Sequence, residues 1–274
     1  MTTLGVDRPT QPALATHAPG PEAQVTAAAT APIVRTKPVL TIVMPAYEEA
    51  KTIDASLRRV YETLTNFGQT FEVILVSDGC TDGTADVATA TGFKDLTVLH
   101  NPQNKGKGHA LRTGCAEASG DYIVFLDSDL DLHPISITWL LRILEASGAD
   151  VVVGSKAHPD SDVCYPWMRR LQSDLFRALT RTLFRLRVRD TQTGVKAFRA
   201  EPLKEVIDLA RTDGWAFDLD LLVNLNDRGR VILEGPISLD FQFTSSIRVL
   251  TAIPMLRDTL GIAMRRRSAR LKQA

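Results

Sequence analysis

An α/β layered domain with a mostly parallel central sheet flanked by helices is the fold class this sequence predicts. Three observations point there. Short, near-continuous apolar runs recur through the first half of the chain. Segments with helical spacing alternate with them, and acidic residues gather where several of the runs end.

The elements follow in order. "VLTIVM" (39–44) is apolar throughout, as a strand covered on both faces should be. Ile53, Leu57, Val60 and Leu64 then recur at helical spacing. "EVILV" (72–76) leads to a helical segment over 85–90, and "LTVLH" (96–100) to one over 108–118. "YIVFL" (122–126) precedes a helix over 135–146, and "ADVVVG" (149–154) closes the series. Strand–helix alternation of this kind gives crossovers of the usual hand, with ligands collecting beyond the carboxyl ends of the strands.

Composition narrows the function classes. The 274 residues carry a formal net charge of zero, so no global field marks a nucleic-acid binder. Cys80, Cys115 and Cys164 match neither a metal spacing nor a disulfide framework, which favours a reducing compartment. No run approaches the ~18 apolar residues that span a bilayer, and the N-terminus lacks the pattern of a signal peptide. Residues 1–37, rich in Ala, Thr and Pro, read as a disordered leader because they bury too little apolar surface to offset ordering. Residues 38–245 read as the main domain, with a C-terminal basic amphipathic helix over 246–274. Arg169, Arg170, Arg177, Arg181, Arg185, Arg187 and Arg189 accompany large apolar residues over 166–189. Such a segment suits an anionic membrane surface, or a helix packed on the sheet with a solvated arginine face.

The strand ends carry the chemistry. Asp127, Asp129 and Asp131 recur at every second position after "YIVFL". Either they face solvent separately, or a cation holds them together. Asp127-Ser128-Asp129 puts two carboxylates within reach of one hard divalent cation, Mg²⁺ or Mn²⁺, which would be completed by phosphate oxygens. "NKGKGHALRTG" (104–114) offers lysines and backbone N–H groups to an anion at a loop-to-helix junction, without Walker A spacing.

"TIVMPAYEEAKTI", "VSDGCTDGT", "NKGKGHALRTG", "FLDSDLDLHP" and "DTQTGVKAFR" together resemble the ordered motifs of family 2 glycosyltransferases with the GT-A fold. Within that family they are most similar to the polyprenyl- and dolichyl-phosphate sugar synthases, over residues 39–240. The resemblance implies transfer of a hexose from a nucleotide sugar to a lipid phosphate with inversion, using Mg²⁺ or Mn²⁺. It implies a base and ribose pocket at Pro45, Ala46, Tyr47 and Glu49, and a nucleobase contact from Asp78. Lys107, Asp127 and Ser128 join the nucleotide site, and Asp127, Asp129 and Asp131 the metal site. The loop 158–167 would close over the donor. Asp190 becomes the candidate general base, with Lys196, Arg199, Ser246 and Arg248 toward the acceptor phosphate. "DTQTGVKAFR" is most similar to the glucosyl form of its motif, which favours UDP-glucose over GDP-mannose. "WAFDLDLL" (215–222) fits a helix whose Asp218 and Asp220 either orient the sugar or cap the helix. The resemblance implies a peripheral enzyme at the cytoplasmic face of a membrane, attached by its basic surfaces or by a membrane-protein partner. Two other readings stay open: a soluble family 2 transferase with a small acceptor, and a non-catalytic nucleotide-binding module on a membrane surface.

Overall fold

The computed structural model describes residues 39–161, 167–239 and 252–271. The expected leader, part of the 158–167 loop, Ser246 and Arg248 lie outside the described residues.

Strand β1 (Leu40–Ala46) is the axis of the sheet. It pairs in parallel with β2 (Phe71–Asp78) on one side and with β4 (Tyr122–Phe125) on the other. Strand β3 (Leu96–Asn101) extends the sheet beyond β2. On the other flank, β6 (Lys196–Arg199) runs antiparallel to both β4 and β5 (Val151–Gly154), and β7 (Ile232–Gly235) joins β5 in parallel. The resulting order is β3-β2-β1-β4-β6-β5-β7. Because the chain builds outward to β3 and then returns to lay β4 on the free side of β1, the sheet changes its direction of growth there. The crevice beyond the carboxyl ends of β1 and β4 is therefore the natural ligand position.

Alternation along the strands divides the core in two. Ile42, Met44, Val73, Leu75 and Val124 face Leu57 and Val60 of α1 (Ile53–Phe67) and Leu140 and Leu144 of α4 (Ile135–Ser147). Val43, Ile74, Val76, Ile123 and Phe125 face α3 (Lys107–Glu117) and α7 (Phe217–Asp227). A Cβ added at Gly114 would lie 2.4 Å from Val43 Cγ1, so this glycine lets α3 rest directly on the sheet. The remaining helices are α2 (Thr84–Ala90), α5 (Trp167–Phe184), α6 (Ala200–Lys204) and α8 (Ala252–Leu271).

All five expected strands form, with ends displaced by one or two residues. Strands β6 and β7 were not anticipated. "KAFR" begins and ends with a cation and "ILEG" holds a glutamate, so neither is an apolar run. No helix among the described residues is long and apolar enough to cross a membrane. Two arginines of the expected basic C-terminal surface turn inward. Arg265 donates to Asp220 Oδ2 at 2.9 Å, and Arg266 to Asp227 Oδ2 at 2.6 Å and to the Leu183 carbonyl at 3.1 Å. Leu256, Leu260, Met264 and Arg257 remain exposed on α8.

Candidate active site

The carboxyl end of β1 runs into a loop tied to the β2–α2 turn. The Glu48 N–H donates to Cys80 Sγ at 3.3 Å, the Glu49 N–H to Thr84 Oγ1 at 2.9 Å and the Ala50 N–H to Asp82 Oδ2 at 2.9 Å. Glu48 Oε1 in turn accepts from the Thr81 N–H at 2.9 Å. These bonds hold Glu48 at φ +56°, in the left-handed region that a glutamate seldom adopts. Held in this way, the loop leaves Tyr47 53% exposed above a half-buried Pro45 and a buried Ala46. The Glu49 carboxylate accepts from Thr52 Oγ1 at 2.6 Å.

At the end of β2, Asp78 is buried and turned toward its own protein. It accepts from Asn101 Nδ2 at 2.8 Å and from the N–H groups of Lys105 and Gly106 at 3.1 and 2.8 Å. Asp78 thus braces the loop that launches α3, rather than presenting an open carboxylate to a base. Ser128 is likewise buried.

Past β4 the chain turns sharply, with Leu130 held at φ +50° and its side chain buried. Strain of this kind gathers where the surrounding structure has a use for the geometry. The turn separates two carboxylates that the sequence made look equivalent. Asp127 Oδ1 meets Lys107 Nζ at 2.7 Å, while its Oδ2 lies against Gly194, where an added Cβ would come within 2.2 Å. Only a glycine lets the 190–195 loop close on this aspartate. Asp129 lies at the exposed surface, and its Oδ1 accepts the Asp131 N–H at 3.3 Å. Loss of hydration around the carboxylate, then repulsion from Asp127 and Asp131, push its pKa up to about 6.

Lys107 sits in the first turn of α3 and bridges to α7, its Nζ 3.4 Å from Asp218 Oδ2. Burial works to discharge it, but Asp127 and Asp218 outweigh that and hold the ammonium above the ordinary lysine range. Asp218 also takes Lys196 Nζ at 2.8 Å on Oδ1. Burial opposes charge on Asp218, yet the two lysines keep its pKa below the usual carboxylate value. Lys196 itself is lowered, by burial and by Lys107, against the pull of Asp218.

Asp190, Lys196, Lys107, Asp127 and Asp129 therefore share one edge of the sheet, with the Tyr47 loop across the crevice. Asp190 is half-buried in the loop that carries Gly194. Its Oδ1 accepts the Gln192 N–H at 3.2 Å, a local turn, and its Oδ2 the Lys156 N–H at 3.4 Å. Lys196 is not a surface cation for an acceptor: it is 1% exposed and donates inward to Asp218 and the Thr193 carbonyl. Arg199 is not brought to this edge. It pairs in register with Tyr122, at the start of β4, so strand β6 carries it to the opposite side of the sheet. There it donates to the Ala149 and Leu144 carbonyls at 2.9 and 3.1 Å and lies over the Tyr122 ring.

Asp220, two residues beyond Asp218 and so on a different face of α7, accepts from the Arg211 and Thr212 N–H groups at 3.0 and 3.2 Å and from Arg265. A cavity of about 610 Å³ opens between the 211–215 loop and α8, beside this network, and the β4 acids do not line it. Asp127 and Asp129 supply the hard oxygen donors that Mg²⁺ and Mn²⁺ prefer, and two carboxylates leave ligand positions for phosphate oxygens. Among the described residues no group of three or more His, Cys, Asp or Glu gathers to hold an ion by itself.

The chain is similar to known proteins in sequence and fold. Residues 41–207 match Glycosyl transferase family 2. Glycosyltransferase AglD of Haloferax volcanii is 31% identical over 81% of the chain, which spans 35% of that protein. Dolichyl-phosphate beta-glucosyltransferase of Drosophila melanogaster is 31% identical over 67% of the chain, which spans 61% of it. Glucosyl-3-phosphoglycerate synthase of Mycobacterium tuberculosis, solved with Mn²⁺, uridine diphosphate and phosphoglyceric acid, superposes with a TM-score of 0.62 at 25% identity. That match covers 84% of this chain and 78% of the synthase, and the shared fold is the expected GT-A architecture.

Proposed function

The chain belongs to glycosyl transferase family 2, and on that premise we propose that it moves a hexose, with inversion, from a nucleotide-diphosphate sugar to a polyprenyl phosphate. The observation that carries the reading is the β4 turn, where a lysine-paired Asp127 stands beside an open Asp129 across the crevice from Tyr47. Pro45, Ala46, Tyr47 and Glu49 line the side toward base and ribose. Lys107 faces the diphosphate. Asp127 and Asp129, with Asp131 close by, would hold Mg²⁺ or Mn²⁺, which when bound would supply positive charge to the departing diphosphate.

A lipid monophosphate has a second pKa of about 6, so at neutral pH it is largely ionised already. Orientation in line with the departing diphosphate matters more for it than proton removal. Asp190 fits an orienting role, because its loop closes on Asp127 through Gly194. UDP-glucose is the favoured donor, supported by the glucosyl form of "DTQTGVKAFR" and by a relative named as a dolichyl-phosphate glucosyltransferase. GDP-mannose is the other donor to offer. Attachment at the cytoplasmic face of a membrane through α5 and the exposed Leu256, Leu260, Met264 and Arg257 of α8 completes the reading.

A transfer assay tests it. Protein, Mn²⁺ and a short polyprenyl phosphate are offered radiolabelled UDP-glucose or GDP-mannose, and label in the organic phase from one donor is the expected result. A second reading, with a small phosphorylated acceptor, is favoured by the likeness to glucosyl-3-phosphoglycerate synthase. Label retained in a new anionic, water-soluble product when phosphoglyceric acid replaces the lipid would select it.

A further inference from the structure

Lys196 is the buried group for which the proposed transfer has no use. It is 1% exposed, it reaches no open surface, and it donates to Asp218 Oδ1 at 2.8 Å and to the Thr193 carbonyl at 2.5 Å. Asp218 is 3% exposed and stands between two ammonium groups, with Lys196 the nearer and Lys107 at 3.4 Å. A buried carboxylate left with one lysine would draw that lysine into a closed pair, since attraction grows as the surroundings dry out. Here the shorter bond belongs to Lys196, and the longer one leaves Lys107 leaning toward Asp127 at 2.7 Å. The four side chains sum to zero: two carboxylates and two ammonium groups.

We infer that Lys196 is a positioning residue, whose charge neutralises Asp218 so that the Lys107 ammonium stays available to the donor's diphosphate. Lys107 is divided between Asp127 at 2.7 Å and Asp218 at 3.4 Å, so with Asp218 neutralised by Lys196 its unit charge would be free to turn to the phosphates wherever Asp127 is shared with a cation. Without Lys196, Asp218 claims that charge. The inference rests on the donor reading above, but not on any particular acceptor.

The experiment measures binding of UDP, GDP and the bare nucleosides to the full chain by calorimetry with Mn²⁺. Lys196→Met should weaken binding of the preferred diphosphate about tenfold, the scale of one charge-assisted contact, while nucleoside binding changes less than about twofold. Lys196→Gln, which keeps a polar N–H donor in the pocket but not the charge, gives the same measurement if the methionine variant does not fold. Combining either change with Asp218→Asn restores neutrality and should recover diphosphate affinity to within about threefold of the unaltered protein. A merely structural role predicts the reverse, with the double variant no better than the single. Unchanged diphosphate binding in the single variants, or no recovery in the double, overturns the inference while leaving the donor reading intact. If the unaltered protein binds neither UDP nor GDP, the donor reading falls and the inference with it.

Discussion

Lys196 and Arg199 begin and end the same four-residue strand, yet they inhabit two different chemistries. At the amino edge of the sheet, charged groups are closed off by the protein itself. Arg199 is spent on two carbonyls and a ring, and Glu72 accepts Thr41 Oγ1 at 2.6 Å and the Ser119 N–H at 2.8 Å. Asp150 likewise accepts the Val231 N–H at 2.8 Å. At the carboxyl edge the balance is left open toward solvent: Asp129 is crowded by carboxylates, and Lys107 is divided between two partners. The difference teaches that charge alone does not mark a functional edge. What marks it is charge whose partners are incomplete, beside a crevice that the topology leaves free.

The largest expected break in that contrast is Asp129→Ala. It should lower metal-dependent transfer by about a thousandfold, a scale suited to loss of a group that aids charge stabilisation at the reacting centre. The melting temperature should hold or rise slightly, because a repelled carboxylate has been removed. Near-normal rates with Mn²⁺ would remove Asp129 from the metal site. Next comes Lys107→Met, which should reduce kcat/KM by about a hundredfold, measured at saturating Mn²⁺. It also leaves Asp127 without its ion pair, so the melting temperature should drop as well.

The pH dependence sharpens the comparison further. Asp129 has a folded pKa raised to about 6, so the stability linked to its proton is full below the unfolded value and fades as pH rises through 6. A divalent cation must displace that proton. The rise in melting temperature on adding Mn²⁺ should therefore be large at pH 7.5 and small at pH 5, and an equal rise at both would contradict the assignment. The smallest effect is the control from the other edge. Arg199→Met should cost about 1–2 kcal/mol of stability in denaturant unfolding, by loss of its carbonyl bonds, with kcat/KM of the folded protein unchanged. A selective loss of activity would mean that the amino edge also serves the reaction.

Much of this could be read from residue order. The five apolar runs became strands because a sheet covered on both faces requires such runs, and the acids after β1, β2 and β4 had to fall at one edge of a parallel sheet. β6 escaped because its terminal cations hide its two-residue apolar centre, and with β6 unseen, Lys196 and Arg199 looked like neighbours serving one acceptor. Asp78 and Asp127 looked alike as acids at strand ends, but one is bound by backbone N–H groups and the other by a lysine. Asp218 was visible as an acid following an aromatic residue on a helix, although its two lysine partners lie 111 and 22 positions away (218 − 107 and 218 − 196).

The sequence by itself determined the alternation of strands and helices, the acidic carboxyl edge and the resemblance that gave the family. Those depend on local periodicity and on motif order, which survive without coordinates. The tertiary structure alone decided which charges are satisfied within the protein and which face the crevice. That depends on partners brought together from distant positions and on how much water each keeps, and no spacing along the chain encodes either.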